Sequence, residues 1–176
     1  MKLKFILPLF IVVFFLSSCS KSIYFTQETR ENLMKHHVDI RKVQFYTSKK
    51  VILKRDLTYE ETKVARGTIR LENGHYVELI IIPKNTPGVV EDSSRNSLQV
   101  AFENGKNRAL NFVLNDKKKY QISAQVWSNG YGKVAYDTLI YFIEPASDKA
   151  MLTVKKDDIY NFQKKVRTVK GKQVEK

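Results

Sequence analysis

The sequence predicts a mainly β domain, an antiparallel β-sandwich or small β-barrel of about ten short strands with a short N-terminal helix. Three Asn-Gly dipeptides stand between strand-like runs, apolar and polar residues alternate within those runs, and no βαβ rhythm is present. The 176 residues suit one domain. With 43% hydrophobic and 28% charged residues, the composition excludes collagen-like, mucin-like and wholly disordered chains.

The first element of this domain is predicted to be a short helix after residues 20–25, which form a tether. Thr26 can cap the helix, and Glu28 lies in its first turn. Leu33 and Met34 supply an apolar patch, and the helix is expected to end at residues 36–38.

The strands are predicted as a series of hairpins. Residues 43–47 alternate in polarity and are expected to pair with residues 51–53. The dipeptides Asn73-Gly74, Asn104-Gly105 and Asn129-Gly130 suit two-residue type I′ turns, whose central residues both need positive φ. These turns would join residues 64–71 to 76–82, residues 98–102 to 109–114, and residues 120–127 to 134–143.

The last strands are expected at residues 150–154 and 160–169, joined around Asp157 and Asp158. Residues 83–97, with a Pro-Gly pair, are predicted to be a long loop of functional type. Residues 26–169 would then form a single β-rich domain, and residues 170–176 a basic, disordered tail.

The N-terminus has the layout of a secretory signal. Lys2 and Lys4 form a basic region, residues 5–16 are an apolar run, and Ser17-Ser18-Cys19 follow. The apolar run is too short for an ordinary spanning helix, which needs about 20 residues.

Leu16-Ser17-Ser18-Cys19 resembles the lipobox of bacterial lipoproteins, and Cys19 is the only cysteine of the chain. The resemblance implies that the Cys19 thiol carries a lipid, that residues 1–18 are cleaved by signal peptidase II, and that residues 19–25 are a lipidated tether. Ser20, in place of aspartate, implies the outer membrane. Ser20-Lys21-Ser22 lacks the acidic cluster used for surface display, which favours the periplasmic face over the cell surface.

The remaining chain resembles small lipoproteins of Gram-negative bacteria, a likeness that implies no activity. The whole chain has a net charge of +13, and removal of the 18-residue leader leaves 158 residues and a charge of +11. Export argues against a nucleic acid partner. An anionic lipid, an envelope polymer or an acidic protein could use this charge, or the lysines and arginines could simply solvate the surface.

No catalytic or phosphate-binding motif occurs in the sequence. Adjacent His36 and His37 would point in different directions, and His75 follows a hairpin turn. The paired carboxylates at residues 60–61, 91–92 and 157–158 are those of solvated turns. We therefore expect no catalytic residue, metal site or cofactor.

These features favour a non-enzymatic binding or scaffold lipoprotein, for example a subunit of a secretion, motility or envelope-assembly complex. The alternatives are a hydrolase or binding protein for peptidoglycan or another glycan, and a carrier of a lipid or small apolar ligand. The residues predicted to contact a partner come from the 83–97 segment and from the hairpin at residues 126–136: Thr86, Pro87, Gly88, Arg95, Trp127 and Tyr131.

Replacement of Cys19 by alanine is expected to release the protein from the membrane fraction. Each buried methylene of an acyl chain contributes about 0.8 kcal/mol to anchoring, and more than one chain is needed for stable attachment. Fractionation of cells that express wild-type and Cys19→Ala protein measures the effect. A variant that sediments with membranes as firmly as the wild type would show that Cys19 is not the anchor.

Overall fold

A computed structural model describes residues 21–64 and 69–163, and these residues form two antiparallel β-sheets and three short α-helices. The predicted fold class, mainly β and sandwich-like with an N-terminal helix, is confirmed. The predicted signal peptide, Cys19, Ser20 and the basic tail lie outside the described residues.

The first sheet has seven strands in the order β1-β13-β2-β6-β7-β8-β9. These strands are β1 (Ser22–Tyr24), β2 (Phe45–Thr47), β6 (Pro87–Ser93), β7 (Ser97–Ala101), β8 (Ala109–Leu114), β9 (Tyr120–Ile122) and β13 (Leu152–Lys155). The second sheet has six strands in the order β10-β11-β12-β3-β5-β4. They are β3 (Val51–Asp56), β4 (Ile69–Glu72), β5 (His75–Ile82), β10 (Val126–Ser128), β11 (Tyr131–Tyr136) and β12 (Leu139–Ile143).

Helix α1 (Gln27–Lys35) begins at the predicted cap. The Thr29 backbone N–H donates to the Thr26 hydroxyl over 3.1 Å, and Leu33 is the residue that the helix buries in the core. The predicted N-terminal helix is therefore confirmed.

Two further helices replace structures predicted from the sequence. Helix α2 (Tyr59–Val64) occupies a stretch where no helix was predicted. Helix α3 (Lys156–Gln163) includes the first four residues of the strand expected at residues 160–169, and Asp157 and Asp158 lie in its first turn. Carboxylates are favourable there because the N-terminal end of a helix is partly positive. Residues 164–169 lie outside the described part of the chain. Two 3-10 turns, Ile40–Lys42 and Ser147–Lys149, complete the helical segments.

Two of the places where the chain passes from one sheet to the other were not predicted. One lies inside a predicted hairpin, and the other lies inside a predicted single strand. Strands β2 and β3 were expected to pair with each other, but β2 pairs with β13 and β6, and β3 pairs with β12 and β5. The predicted strand at residues 120–127 is also divided, with β9 in the seven-stranded sheet and β10 in the six-stranded sheet. Such divisions explain why there are more strands than predicted.

Two of the three Asn-Gly turns are confirmed. Glu72 pairs with His75, and Ser128 pairs with Tyr131, so Asn73-Gly74 and Asn129-Gly130 are two-residue turns in which both φ angles are positive. Asn104-Gly105 instead lies inside a longer connection, because β7 ends at Ala101 and β8 begins at Ala109. A further two-residue turn at residues 137–138 divides the run predicted at residues 134–143.

The predicted loop at residues 83–97 is wrong, because residues 87–93 form strand β6. Part of the predicted tether is likewise strand β1, and Phe25 after it is buried. Burial accounts for both differences, since Val90 and Phe25 each belong to the core.

The two sheets share one core. Phe25 packs edge-to-face on Phe45, with ring centroids 4.9 Å apart, and Tyr120 lies 5.5 Å from Phe25. Leu53 and Ile143 bring the six-stranded sheet into the same cluster. The Tyr120 backbone N–H also donates to the Phe25 carbonyl, and the Ile122 backbone N–H donates to the Ala150 carbonyl. Strand β9, at one edge of its sheet, is therefore bonded to residues next to β1 and β13 at the other edge.

Replacement of Gly88 by alanine is expected to destabilise the domain by roughly 1–3 kcal/mol, the usual cost of overpacking. A Cβ on Gly88 would lie 2.7 Å from the Phe102 ring and 2.8 Å from Val100. Urea unfolding of the two proteins measures the difference. Gln99→Ala, an exposed change on the neighbouring strand, is the control and is expected to stay within about 0.5 kcal/mol. Equal stability of Gly88→Ala and wild type would contradict the packing described here.

Candidate functional site

The side of the six-stranded sheet that points away from the core carries a group of apolar side chains. Alternate residues of β11 and β12 are buried, which directs the intervening residues outward. We call this surface the outer face. Its apolar members are Ile52, Leu79, Ile81, Val126, Tyr131, Ala135, Ile140 and Phe142.

Strand register makes these residues neighbours. Phe142 pairs with Lys133 on one side and Lys54 on the other, and Ile52 pairs directly with Ile81. Phe142 and Ile81 are each 44% exposed. The apolar side chains therefore form one contiguous group across neighbouring strands and are not scattered singly over the surface.

The outward side of the seven-stranded sheet is polar at its centre. Gln99 of β7 and Asn111 of β8 pair with each other, and both are exposed. Their neighbours Leu98 and Leu110 are buried in the core. These strands thus have one apolar and one polar side, as expected for a sheet that meets water. Strand β12, with the sequence LIYFI, is apolar on both sides.

A polar cluster on the inward side braces the six-stranded sheet near α2. Arg55 of β3 donates to Glu78 over 2.8 Å and to Glu61 over 2.5 Å, and the Tyr141 hydroxyl donates to Glu78 over 2.9 Å. Burial, followed by this bond to Glu78, raises the pKa of Tyr141 to about 12. The cluster connects β3, β5, β12 and α2, and so fixes the strands that carry the outer face.

Glu61 also caps helix α2. Its carboxylate accepts from the Thr58 backbone N–H over 2.8 Å, while the Glu61 backbone N–H donates to the Thr58 hydroxyl over 3.3 Å. This reciprocal arrangement is a capping box. The bond from the Thr58 backbone, with the bond from Arg55, lowers the pKa of Glu61 to about 2.

The six predicted contact residues do not form one surface. Thr86, Pro87 and Gly88 lie at the start of β6 in the seven-stranded sheet, and Gly88 is buried, so it offers no surface to a partner. Arg95 lies between β6 and β7, and its carbonyl accepts from Arg30.

Trp127 and Tyr131 lie on opposite sides of the six-stranded sheet. The Trp127 ring covers Gly132, where a Cβ would lie 2.7 Å from it. Tyr131 is 43% exposed and belongs to the outer face. It is the one predicted contact residue that does, and the other members of that face were missed. The signal that could have found them is the unbroken apolar run in β12, where period-two alternation is lost.

A crevice of about 520 Å³ lies between β11 and the outward side of β7 and β8. Its polar lining has one carboxylate, Glu91, and is otherwise made of amides and hydroxyls. These belong to Gln99, Asn107, Asn111, Ser123, Gln125, Tyr136 and Thr138. These groups can donate and accept hydrogen bonds with a polar molecule. A single carboxylate does not supply the opposed pair that most glycosidases use.

Within residues 21–64 and 69–163, no three His, Cys, Asp or Glu side chains come close enough together to hold a metal ion. In the same ranges no helix has the length and apolar character needed to cross a bilayer. Comparison with protein-family models, with curated protein sequences and with solved structures gives no significant match.

Replacement of Glu61 by glutamine is expected to destabilise the domain at pH 6 and to matter progressively less as the pH falls. The folded state holds the Glu61 pKa at about 2, below its ordinary value of 4.5. The carboxylate therefore contributes stability above about pH 4.5 and loses that contribution as the pH falls towards 2. Urea unfolding at pH 6 and pH 3 measures the narrowing difference, with Glu60→Gln in the same helical turn as the control. A difference that is constant with pH would contradict the capping interaction.

Proposed function

We propose that the protein is a lipid-anchored envelope component, held at the outer membrane by acylated Cys19 and facing the periplasm, that binds another envelope protein without catalysing a reaction. The basic region, the apolar run and the lipobox-like Leu16-Ser17-Ser18-Cys19 support the anchor. The observation that carries the binding role is the apolar outer face of the six-stranded sheet.

An apolar outer face is costly to leave in water. Strands that are apolar on both sides are typical of sheets covered on both sides. Scattered exposed apolar residues are ordinary in a soluble domain, but contiguous groups mark interaction sites. Tyr131 and Phe142 add aromatic rings, which are enriched at the energetic centres of protein interfaces.

Charge on the outer face favours a partner with an acidic rim. Lys133 stands beside Phe142 and forms no salt bridge with the part of the chain that the structure describes. Lys54, on the other side of Phe142, is paired with Glu72. A protein with an apolar centre and peripheral carboxylates would bury Phe142 and pair with Lys133. The net charge of +11 that remains after removal of the leader would also accelerate encounter with such a partner.

The two other functions considered receive less support. A hydrolase acting on a glycan would need a second carboxylate opposite Glu91, and the lining of the polar crevice contains none. A carrier of an apolar ligand needs an apolar cavity, whereas two crevices of about 520 and 530 Å³ are lined by polar and apolar residues together.

A photoreactive amino acid placed at Phe142 or at Ile81 is expected to crosslink the protein to one envelope partner in intact cells. Both positions are exposed at the centre of the outer face, where a bound protein would lie within reach of the probe. Mass spectrometry of the crosslinked product identifies the partner and the site of attachment.

The matched control places the same amino acid at Gln99 or Asn111, which are exposed on the other sheet. The proposal requires that these positions give no such product. It would be overturned by crosslinks only between two copies of the chain, or by equal products from all four positions. The first result would indicate that the outer face is a homodimer interface.

A further inference from the structure

Five lysines gather around strand β1, where the chain enters the domain. Lys21 precedes the strand, and its carbonyl accepts from the Lys156 backbone N–H over 3.0 Å. Lys155 is the strand partner of Ser22, and Lys84 lines a crevice of about 530 Å³ together with Ser22 and Tyr24. We call this region the anchor-side surface, defined by Lys21, Lys84, Lys119, Lys155 and Lys156.

Three of these lysines lie against tyrosine rings. The Lys119 Nζ is 4.3 Å from the ring centroid of Tyr24. The Lys155 Nζ is 5.4 Å from the ring centroid of Tyr46, and the Lys156 Nζ is 5.4 Å from that of Tyr160. Tyr24 is 46% exposed and Tyr160 is 56% exposed. Tyrosine has an apolar ring and a polar hydroxyl, and this combination is enriched at the level of lipid headgroups.

The charge of the anchor-side surface is not neutralised within the domain. None of its five lysines forms a salt bridge with residues 21–64 or 69–163. The neighbouring carboxylates are Glu28, which lines a crevice with Lys156, and Asp157 and Asp158 in the first turn of α3. The lysines outnumber these carboxylates, and the surface is therefore positive.

The length of the tether places this surface close to the bilayer if Cys19 is lipidated. Only three residue steps separate Cys19 from Ser22, the first residue of β1. Three residues span at most roughly 11 Å when fully extended. The tether reaches that distance only when fully extended, and a more compact arrangement brings the charges beside β1 to within about 8 Å of the lipid headgroups, the Debye length at physiological ionic strength.

We propose that the anchor-side surface lies on the membrane and binds the headgroups of anionic phospholipids. This inference rests on the proposed lipidation of Cys19, and it adds an orientation: β1, β13 and the start of α3 face the lipid. The lysines pair with phosphate groups, while Tyr24 and Tyr160 enter the headgroup layer.

The test uses the full chain, produced with its leader in bacteria and reconstituted into vesicles of phosphatidylcholine, either alone or mixed with phosphatidylglycerol. A water-soluble amine-reactive reagent labels exposed lysines, and peptide mass spectrometry gives each labelling rate. Attraction to an anionic surface favours the bound state about fivefold for each lysine. We therefore expect Lys155 and Lys156 to be labelled about fivefold more slowly in the phosphatidylglycerol vesicles, with the difference removed by 1 M salt.

Lys63 and Lys106, which are exposed on other elements, are the internal controls and should be labelled at the same rate in both vesicles. The double variant Lys155→Gln/Lys156→Gln should also lose the protection of Lys119, whereas Lys63→Gln/Lys106→Gln should retain it. Equal labelling of Lys155, Lys156 and Lys63 in the two vesicles would overturn the proposal.

Intact mass separates this inference from the proposed function. An acylated chain whose anchor-side lysines are unprotected contradicts the membrane-facing surface and leaves the anchor intact. A chain without acyl groups contradicts the anchor. The surface is then judged by co-sedimentation of that unacylated chain with phosphatidylglycerol vesicles at low salt. If the unacylated chain sediments with phosphatidylglycerol vesicles and not with phosphatidylcholine vesicles, the membrane-facing surface is supported. If it sediments with neither, the membrane-facing surface is overturned.

Discussion

The shared core between the two sheets is the constraint on which the rest of the structure depends. Phe25, just after β1, contacts Phe45 and Tyr120 of the seven-stranded sheet, and Leu53 and Ile143 reach the same cluster from the six-stranded sheet. A chain that fills one core from both sides must cross between the sheets, because neither sheet can bury its own apolar side alone. The chain satisfies that requirement by crossing after β2, β5, β9 and β12.

The crossing after β9 has a direct consequence for the outer face. Tyr120 and Ile122 of β9 point into the core, and the same alternation continues through Ala124 to Val126. Because the chain has changed sheets by Val126, the alternation now directs this side chain outward, where it is 61% exposed. An apolar residue thus reaches the surface without any break in the sequence pattern.

Local chemistry could be predicted from the sequence, and pairing between distant segments could not. The Thr26 cap and the Asn73-Gly74 and Asn129-Gly130 turns depend on residues within a few positions of one another. The partners of β2 are instead β13 and β6, which are distant in the chain. The alternation of apolar and polar residues in β2 fits the predicted hairpin and the observed pairing equally well. It defines which side of the strand is buried, but not which strand lies alongside.

The same reasoning explains why one member of the candidate site was predicted and the others were missed. Tyr131 was selected because it follows a recognisable turn. Phe142 and Ile81 lie in runs with no polar alternation, and such runs are compatible with burial in any fold. The structure adds the fact that these runs lie in an antiparallel sheet with a core on one side only.

The two proposed surfaces lie at the β1 edge of the seven-stranded sheet and on the outward side of the six-stranded sheet, and they differ in the chemistry they offer. Lysines beside tyrosines on β1, β13 and α3 suit a charged and hydrated headgroup layer, because the ammonium groups remain in contact with water. The outer face carries Phe142, Ile81 and Ile140, which gain stability only when water is removed from them. If the lipidated end keeps β1 at the membrane, the outer face on the other sheet remains accessible to a protein. A lipid-anchored binding protein requires that division between its two sides.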